Sequence, residues 1–377
     1  MDIVFHRAPF TGGQPEGVAI SDGLVFASAM GETEDGSWEF ARWTSEKTPI
    51  GFGATELIAS WIADTPPGTW IEIDIRGTDP MTRWYVLGQW AYGDDDIKRA
   101  SVPGQSDMQG SVAVDTLKAA AGVFFRSYQL RVVLYRRKGS RYVPTVRSVG
   151  TMASAILERE TVETSRGGAA WGIELQVPRR SQHLHDDHYP KWVGGGRRWC
   201  SPASTTMVLG YWGAWPSTED TAWVRRPDPN PEVDYAARHT YDHGSGGVGN
   251  WPFNIAYAGR YGLDGFVTRL RSLTEAESLI AAGIPLVVST AFYSSELEGS
   301  GYDTNGHLMV VAGFTAQGDV IANDPAAPDN EQVRRVYPRG AFEKVWLRSK
   351  SSGGIVYVIR PISHALPPTP PDCSPNW

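Results

Sequence analysis

Arg198-Trp-Cys-Ser-Pro-Ala-Ser-Thr-Thr-Met-Val-Leu209 sets a cysteine at the mouth of a helix. Pro202 suits the first helical position and Ser201 the cap before it. Ala203, Met207 and Tyr211 then recur at four-residue intervals on one face. The Cys200 sulfur therefore meets the positive end of a helix dipole, where a thiolate is favoured and the thiol pKa falls. A nucleophilic thiol needs that setting, and the plain alternative is a small buried core residue. Further helices are expected over 253–261 and 274–282, ahead of a strand-rich C-terminal third. Helices first and sheet later is an α+β order.

In that last third, Gly306-His-Leu-Met-Val-Val-Ala-Gly-Phe314 reads as one apolar strand and Asp319-Val-Ile-Ala-Asn-Asp324 as another. Thr315-Ala-Gln-Gly318 between them has the length and glycine of a hairpin loop. If 314 pairs with 319, paired positions sum to 633, whereas His307 and Asp324 sum to 631. The two are then diagonal neighbours, about 7–8 Å apart at the backbone and within side-chain reach. A carboxylate on one ring nitrogen fixes the imidazole tautomer and leaves the other nitrogen to take a thiol proton. Taken singly, His307 is a histidine at a strand start and Asp324, before Pro325, a turn former.

Upstream, residues 1–165 read as β. Trp70-Ile-Glu-Ile-Asp-Ile-Arg76 alternates apolar and polar residues strictly, the period of a strand with one buried face. Trp84-Tyr-Val-Leu87 and Gln129-Leu-Arg-Val-Val-Leu-Tyr135 are further strands, set off by Gly/Pro/Asp clusters. Short strands at this spacing favour a β-sandwich of jelly-roll type. The polar stretch 158–168 marks the boundary, giving a domain over 1–165, a second over 166–365, and a Pro-rich tail over 366–377.

Composition narrows the function. With 377 residues, 41% hydrophobic and 20% charged, the chain is long enough for two packed domains and is not disordered throughout. A net charge of −7 argues against nucleic acid as the main partner. No apolar run reaches the roughly 18 residues of a membrane helix. No signal peptide is visible, so the expectation is a cytoplasmic protein, or an exported one if a leader has been removed. Two cysteines build no disulfide framework.

Three other features bear on function. Gln182-His-Leu-His-Asp-Asp-His188 matches the H-x-H-x-D-H string of metallo-β-lactamase-type hydrolases, in which imidazoles and a carboxylate hold zinc. His183, His185, Asp187 and His188 would be its ligands, joined by His239, His243 or His307. The polar Pro178-Arg-Arg-Ser-Gln182 ahead of it replaces the buried strand such a site requires, so a polar surface loop is expected. Gly244-Ser-Gly-Gly-Val-Gly-Asn250 lacks the Lys-Ser/Thr of a phosphate loop and reads as a conformationally demanding loop near a groove. Trp38, Trp43, Trp61, Trp70, Trp84 and Trp90 could form a sugar-stacking platform, but such residues are more often core.

Val177-Pro-Arg-Arg-Ser-Gln182, Trp199-Cys-Ser-Pro-Ala-Ser204, Gly306-His-Leu-Met-Val-Val-Ala-Gly-Phe314 and Val320-Ile-Ala-Asn-Asp-Pro-Ala326 together resemble the papain-fold cysteine peptidases of the bacteriocin-leader (double-glycine) type. The likeness covers about residues 170–362 and is nearest to the stand-alone relatives of actinobacteria, several of which carry an N-terminal β-rich region. It implies a papain-like domain in which Cys200, His307 and Asp324 form the catalytic set and Gln182 helps build the oxyanion hole. Two features depart from the family: Ser201 stands where Cys-Gly-Pro is usual, and Gln182 lies eighteen positions before Cys200. The reach of Gln182 thus depends on Gly194-Gly-Gly196 folding back.

The resulting expectation is an all-β sandwich followed by a papain-like α+β domain that cleaves a peptide or amide bond through a thioester. No metal and no organic cofactor is implied. Two other function classes remain: a zinc-dependent hydrolase using the His183–His188 segment, and a non-catalytic protein that keeps the fold while its β domain grips a glycan or protein ligand.

Overall fold

The computed structural model describes residues 1–156, 161–349 and 351–377. It divides into two compact units, one of Asp2–Ala155 with Tyr241–Arg260, the other of Ile156–Thr240 with Tyr261–Trp377 and Met1. The start of the polar stretch expected at the boundary, 158–160, lies outside the described residues.

The N-terminal unit holds two seven-stranded antiparallel sheets. The expected strand at 70–76 runs Thr69–Asp79, and those at 84–87 and 129–135 run Tyr85–Trp90 and Phe125–Arg137. Ile71, Ile73 and Ile75 are fully buried, as their alternation requires. The polar face of the same strand is covered too. Asp74 is wholly buried and ion-paired to Arg131 at 2.6 Å. Trp70 stacks flat on Tyr135 at 3.7 Å.

Helix expected at 253–261 forms as Trp251–Gly259 but packs with this N-terminal unit. Its Phe253 meets Trp61 of one sheet (6.1 Å between ring centroids) and Trp90 of the other (5.3 Å). At the helix start the Trp251 N–H donates to Asp115, and at its end Arg147 donates to the Gly259 carbonyl. A helix read only from periodicity carries no address, and here large aromatic rings supply it.

The second unit is built on a six-stranded antiparallel sheet in the order Leu263–Arg269, Ile355–Pro361, Leu286–Phe292, Thr304–Phe314, Val320–Asn323, Arg334–Tyr337. Numbering helices along the chain, α1 is Cys200–Tyr211, α2 Pro231–Thr240, α3 the Trp251–Gly259 helix above, α4 Leu273–Ala281 and α5 Arg339–Leu347. With helices ahead of a strand-rich sheet, the α+β class stands. Positions 201–209 of α1 are all buried, so the helix is covered on every side rather than on one face. Segment 165–171 enters this unit through Glu277, which takes the Gly168 N–H at 2.7 Å and pairs with Arg339 at 2.6 Å.

The prolines of 366–377 keep that segment free of strand and helix, yet its end is anchored. Asn376 is wholly buried, donating to the Arg269 carbonyl at 2.8 Å and to Glu275 at 2.9 Å. Among the described residues no helix is long and apolar enough to cross a membrane.

Candidate active site

Helix α1 begins at Cys200 itself, with Trp199 as its cap residue. The expected cap, Ser201, instead shares a hydrogen bond with the Tyr357 hydroxyl at 3.0 Å. Pro202 becomes the third helical residue, where a missing N–H costs nothing because the first turn's donors have no partner within the helix. The cysteine thus stands in the first turn of the dipole, and it is half-buried.

Across from it, Phe314 pairs with Val320 rather than Asp319, one residue longer than the expected loop. A bulge between Val311 and Gly313 absorbs the difference, and Val310 pairs with Asn323 in the expected register. His307 and Asp324 consequently meet, with Nε2 2.8 Å from Oδ1. His307 also shares a side-chain hydrogen bond with Cys200.

Both partners are deeply buried. Burial alone would lower the His307 pKa, but the Asp324 charge and hydrogen bond, followed by those of Cys200, push it up to about 10. Burial would likewise raise the Cys200 thiol. The His307 hydrogen bond and charge and the N–H groups of Leu308 and Ser201 outweigh it and hold the thiol below its ordinary range. Asp324 also resists the upward push of burial, held well below the usual carboxylate range chiefly by the His307 charge and hydrogen bond. Its Oδ2 accepts from Tyr302 at 2.8 Å and Tyr337 at 2.7 Å, and its Oδ1 from the Ala326 N–H at 2.9 Å. Sequence reasoning missed both tyrosines; neither lies near Asp324 along the chain.

Gln182 opens a 3-10 turn, Gln182–His185, and is buried. Its backbone N–H donates to the Pro325 carbonyl at 2.9 Å, which ties the turn to the Asp324 segment. The Gly194–Gly196 loop does fold back over this turn. Gly195 has φ +91°, and a Cβ on Gly196 would stand 2.2 Å from the Gln182 carbonyl oxygen. That return brings the Gln182 side-chain Nε2 to the Arg197 carbonyl at 2.8 Å, three positions before Cys200. An amide nitrogen carries two N–H donors, so one is left beyond that bond.

The His183–His188 segment is not the surface loop expected. His185 is wholly buried, packed in the 3-10 turn, while Asp187 is exposed and His183 turns to Asp186 at 3.0 Å. The H-x-H-x-D-H set is therefore not brought together. His239 bonds the Tyr235 carbonyl, His243 belongs to the N-terminal unit, and His307 is committed to Asp324. What His185 and His188 face is Asp228 and Asp234, which sequence reasoning missed. Pro231 at the head of α2 was the available signal for a helix placing Asp234 in its first turn.

In the N-terminal unit, the glycine-rich loop wraps a buried carboxylate. Asp242 accepts from the N–H groups of Ser101, Gly244 and Ser245 and from the Asn250 side chain, and Asn250 caps α3. The tryptophans form no sugar platform. Trp43, Trp61, Trp70 and Trp90 are buried, Trp38 is half-buried, and Trp84 packs against the guanidinium groups of Arg76 and Arg131.

Two families match the chain: the Peptidase C39 N-terminal domain over residues 4–154, and the Peptidase C39-like family over 174–353. Over both stretches the chain is similar to C39 peptidases. Both matches fall on this C39-like chain in the order that the two units begin. No curated protein matches it. Among solved structures it is similar to one from Bacillus anthracis, described provisionally as a C39-like peptidase. That comparison has 18% identity and a TM-score of 0.28, and it covers 49% of this chain and 94% of the other.

Proposed function

We propose that the C-terminal unit is a cysteine peptidase or amidase. Cys200 attacks the acyl carbon as a thiolate, forming the carbon–sulfur bond of a tetrahedral oxyanion. Protonated His307 gives its proton to the leaving nitrogen as the carbon–nitrogen bond breaks, and a thioester remains. Water then adds to the thioester carbon, His307 takes its proton, and the carboxylic acid leaves as the thiolate re-forms. Asp324 holds the imidazole orientation and charge throughout.

The observation that carries this reading is the continuous chain Cys200–His307–Asp324, with its thiol lowered and its imidazole raised. For the oxyanion we assign as donors the Cys200 backbone N–H, in the first turn of α1, and the second N–H of the Gln182 amide, whose first goes to the Arg197 carbonyl. One such donor is worth about 3–4 kcal/mol. The N-terminal unit we read as a β-sandwich, supported by Phe253 lying against a tryptophan from each sheet; no ligand is assigned to it.

The test is a thiol-directed epoxide or chloromethyl ketone probe on the full chain, followed by peptide mapping and a peptide-library assay. Labelling of Cys200 and cleavage that both vanish in His307→Ala support the mechanism. A sluggish thiol with a pKa near the ordinary 8.5 or so would overturn it.

A further inference from the structure

His185, His188, Asp228 and Asp234 each offer one ligand atom, and these atoms lie within 4.8 Å of one another. His185 Nδ1 is 2.7 Å from Asp234 Oδ2 and 3.7 Å from Asp228 Oδ2, while His188 Nδ1 is 2.9 Å from Asp234 Oδ1 and 3.4 Å from Asp228 Oδ2. Donors about 2.0–2.1 Å from a tetrahedral zinc stand about 3.3 Å apart, in the middle of that spread.

Proximity alone does not make a site, but three of the polar atoms here are also unsatisfied, while His188 Nδ1 shares a hydrogen bond with Asp234 Oδ1. His185 Nδ1, Asp228 Oδ2 and Asp234 Oδ2 are buried and make no hydrogen bond, although Nδ1 and the Asp234 oxygen are only 2.7 Å apart. Buried polar atoms this close and without hydrogen-bond partners are the setting in which a bound cation supplies the missing partner. The side chains of His185, Asp228 and Asp234 are wholly buried and that of His188 is 15% exposed. Two carboxylates buried side by side are costly to leave uncompensated. A divalent cation compensates them.

We propose that His185 Nδ1, His188 Nδ1 and one oxygen each of Asp228 and Asp234 bind a single divalent transition-metal ion, zinc foremost. Two imidazoles and two carboxylates suit that class better than calcium or magnesium, which prefer all-oxygen shells. Four protein ligands close the shell, the pattern of a structural site and not of a hydrolytic one. The ion would staple the Gln182–His185 turn to the first turn of α2, holding the backbone three residues from the Gln182 amide. A surface cleft lined by His183, Asp187, His188 and Arg225 gives the ion a way in.

The experiment is elemental analysis of the untagged full-length protein purified without chelator, alongside Cys200→Ala, His188→Gln and Asp228→Asn. About one zinc per chain is expected in the parent and in Cys200→Ala, with loss from the other two. A strong chelator should lower the melting temperature of the parent, with recovery on adding zinc, and leave that of Asp228→Asn unmoved. Cobalt(II) substitution should give visible ligand-field bands without the ultraviolet charge-transfer band of a thiolate. If His188→Gln or Asp228→Asn fails to fold, the cobalt spectrum and chelator response of the parent decide alone. No bound metal and a melting temperature indifferent to zinc and chelator overturn the proposal. So does metal that survives Asp228→Asn and is lost with Cys200→Ala. None of these readouts depends on turnover, so failure here is separable from failure of the peptidase reading.

Discussion

Asp324 takes His307 Nε2 on one carboxylate oxygen, at 2.8 Å, and the hydroxyls of Tyr302 and Tyr337 on the other. Each oxygen thus has its own task. Oδ1 fixes the imidazole, and Oδ2 takes one donor from a loop and one from a strand, which holds the carboxylate against rotation. The ring is held from behind.

Removing one of these hydroxyls should loosen that hold measurably. Tyr337→Phe deletes a donor to a buried charged acceptor, at a cost of about 1–3 kcal/mol in chemical unfolding. Tyr302 still bonds the same oxygen, so kcat is expected to fall less than it does for Asp324→Asn.

The acid–base behaviour follows from the shifted groups. Between the lowered Cys200 thiol and His307 at about 10, thiolate and imidazolium coexist. Peptide cleavage, which needs the imidazolium proton for the leaving nitrogen, should therefore not fall on the alkaline side until the pH nears 10. Alkylation of the sulfur, which needs only the thiolate, should not decline. A cleavage profile that falls already near pH 7 on the alkaline side would contradict the assignment.

Folding stability is linked to the same groups with opposite signs. The folded pKa of His307 exceeds its unfolded value of about 6.5, so its contribution is complete below that pH and disappears as pH rises through about 10. Asp324 is depressed, so its contribution exists above about pH 4 and disappears as pH falls through its folded value. Melting temperature against pH should show both limbs. In Asp324→Asn the acid limb should flatten and the alkaline limb move down.

Gly196 and Gly306 make a matched pair. A methyl group on Gly196 meets the Gln182 oxygen at 2.2 Å and the His185 carbonyl carbon at 2.5 Å, both backbone atoms. Gly196→Ala should cost about 1–3 kcal/mol and depress kcat with it. Gly306, beside His307, has open space around it, and Gly306→Ala should change stability by no more than about 0.5 kcal/mol. Paired melts and kinetics check both.

Gln182→Ala tests the oxyanion donor directly. A loss of about 10²–10³ in kcat with KM little changed is expected. A loss confined to KM would assign Gln182 to substrate binding instead.

The placement of His307 near Asp324 was legible because both lie on one hairpin, where register is arithmetic. The loop came out one residue longer than expected, and a bulge at Ala312 cancelled the error, since the apolar pattern constrains which faces must match. The start of α1 was legible to within three residues from Pro202. The address of α3 was not, because Phe253 is placed by Trp61 and Trp90, some 160–190 positions away in sequence. The same holds for Tyr337, Asp228 and Asp234. Periodicity announces that an element exists; it is silent on which distant side chains close around it. His185 looked polar on paper because burial of a histidine depends on partners more than forty positions downstream.

Helix α3 also sets an order of events during synthesis. The ring that lies against both tryptophans of the first unit leaves the ribosome about a hundred residues after Ala155, once the thiol-bearing helix has already been made. At about 5–20 residues per second, that is a wait of roughly 5–20 s with Trp61 and Trp90 uncovered. Nascent chains are thus sticky for a definite interval, and a gene cut at the apparent boundary would make that interval permanent.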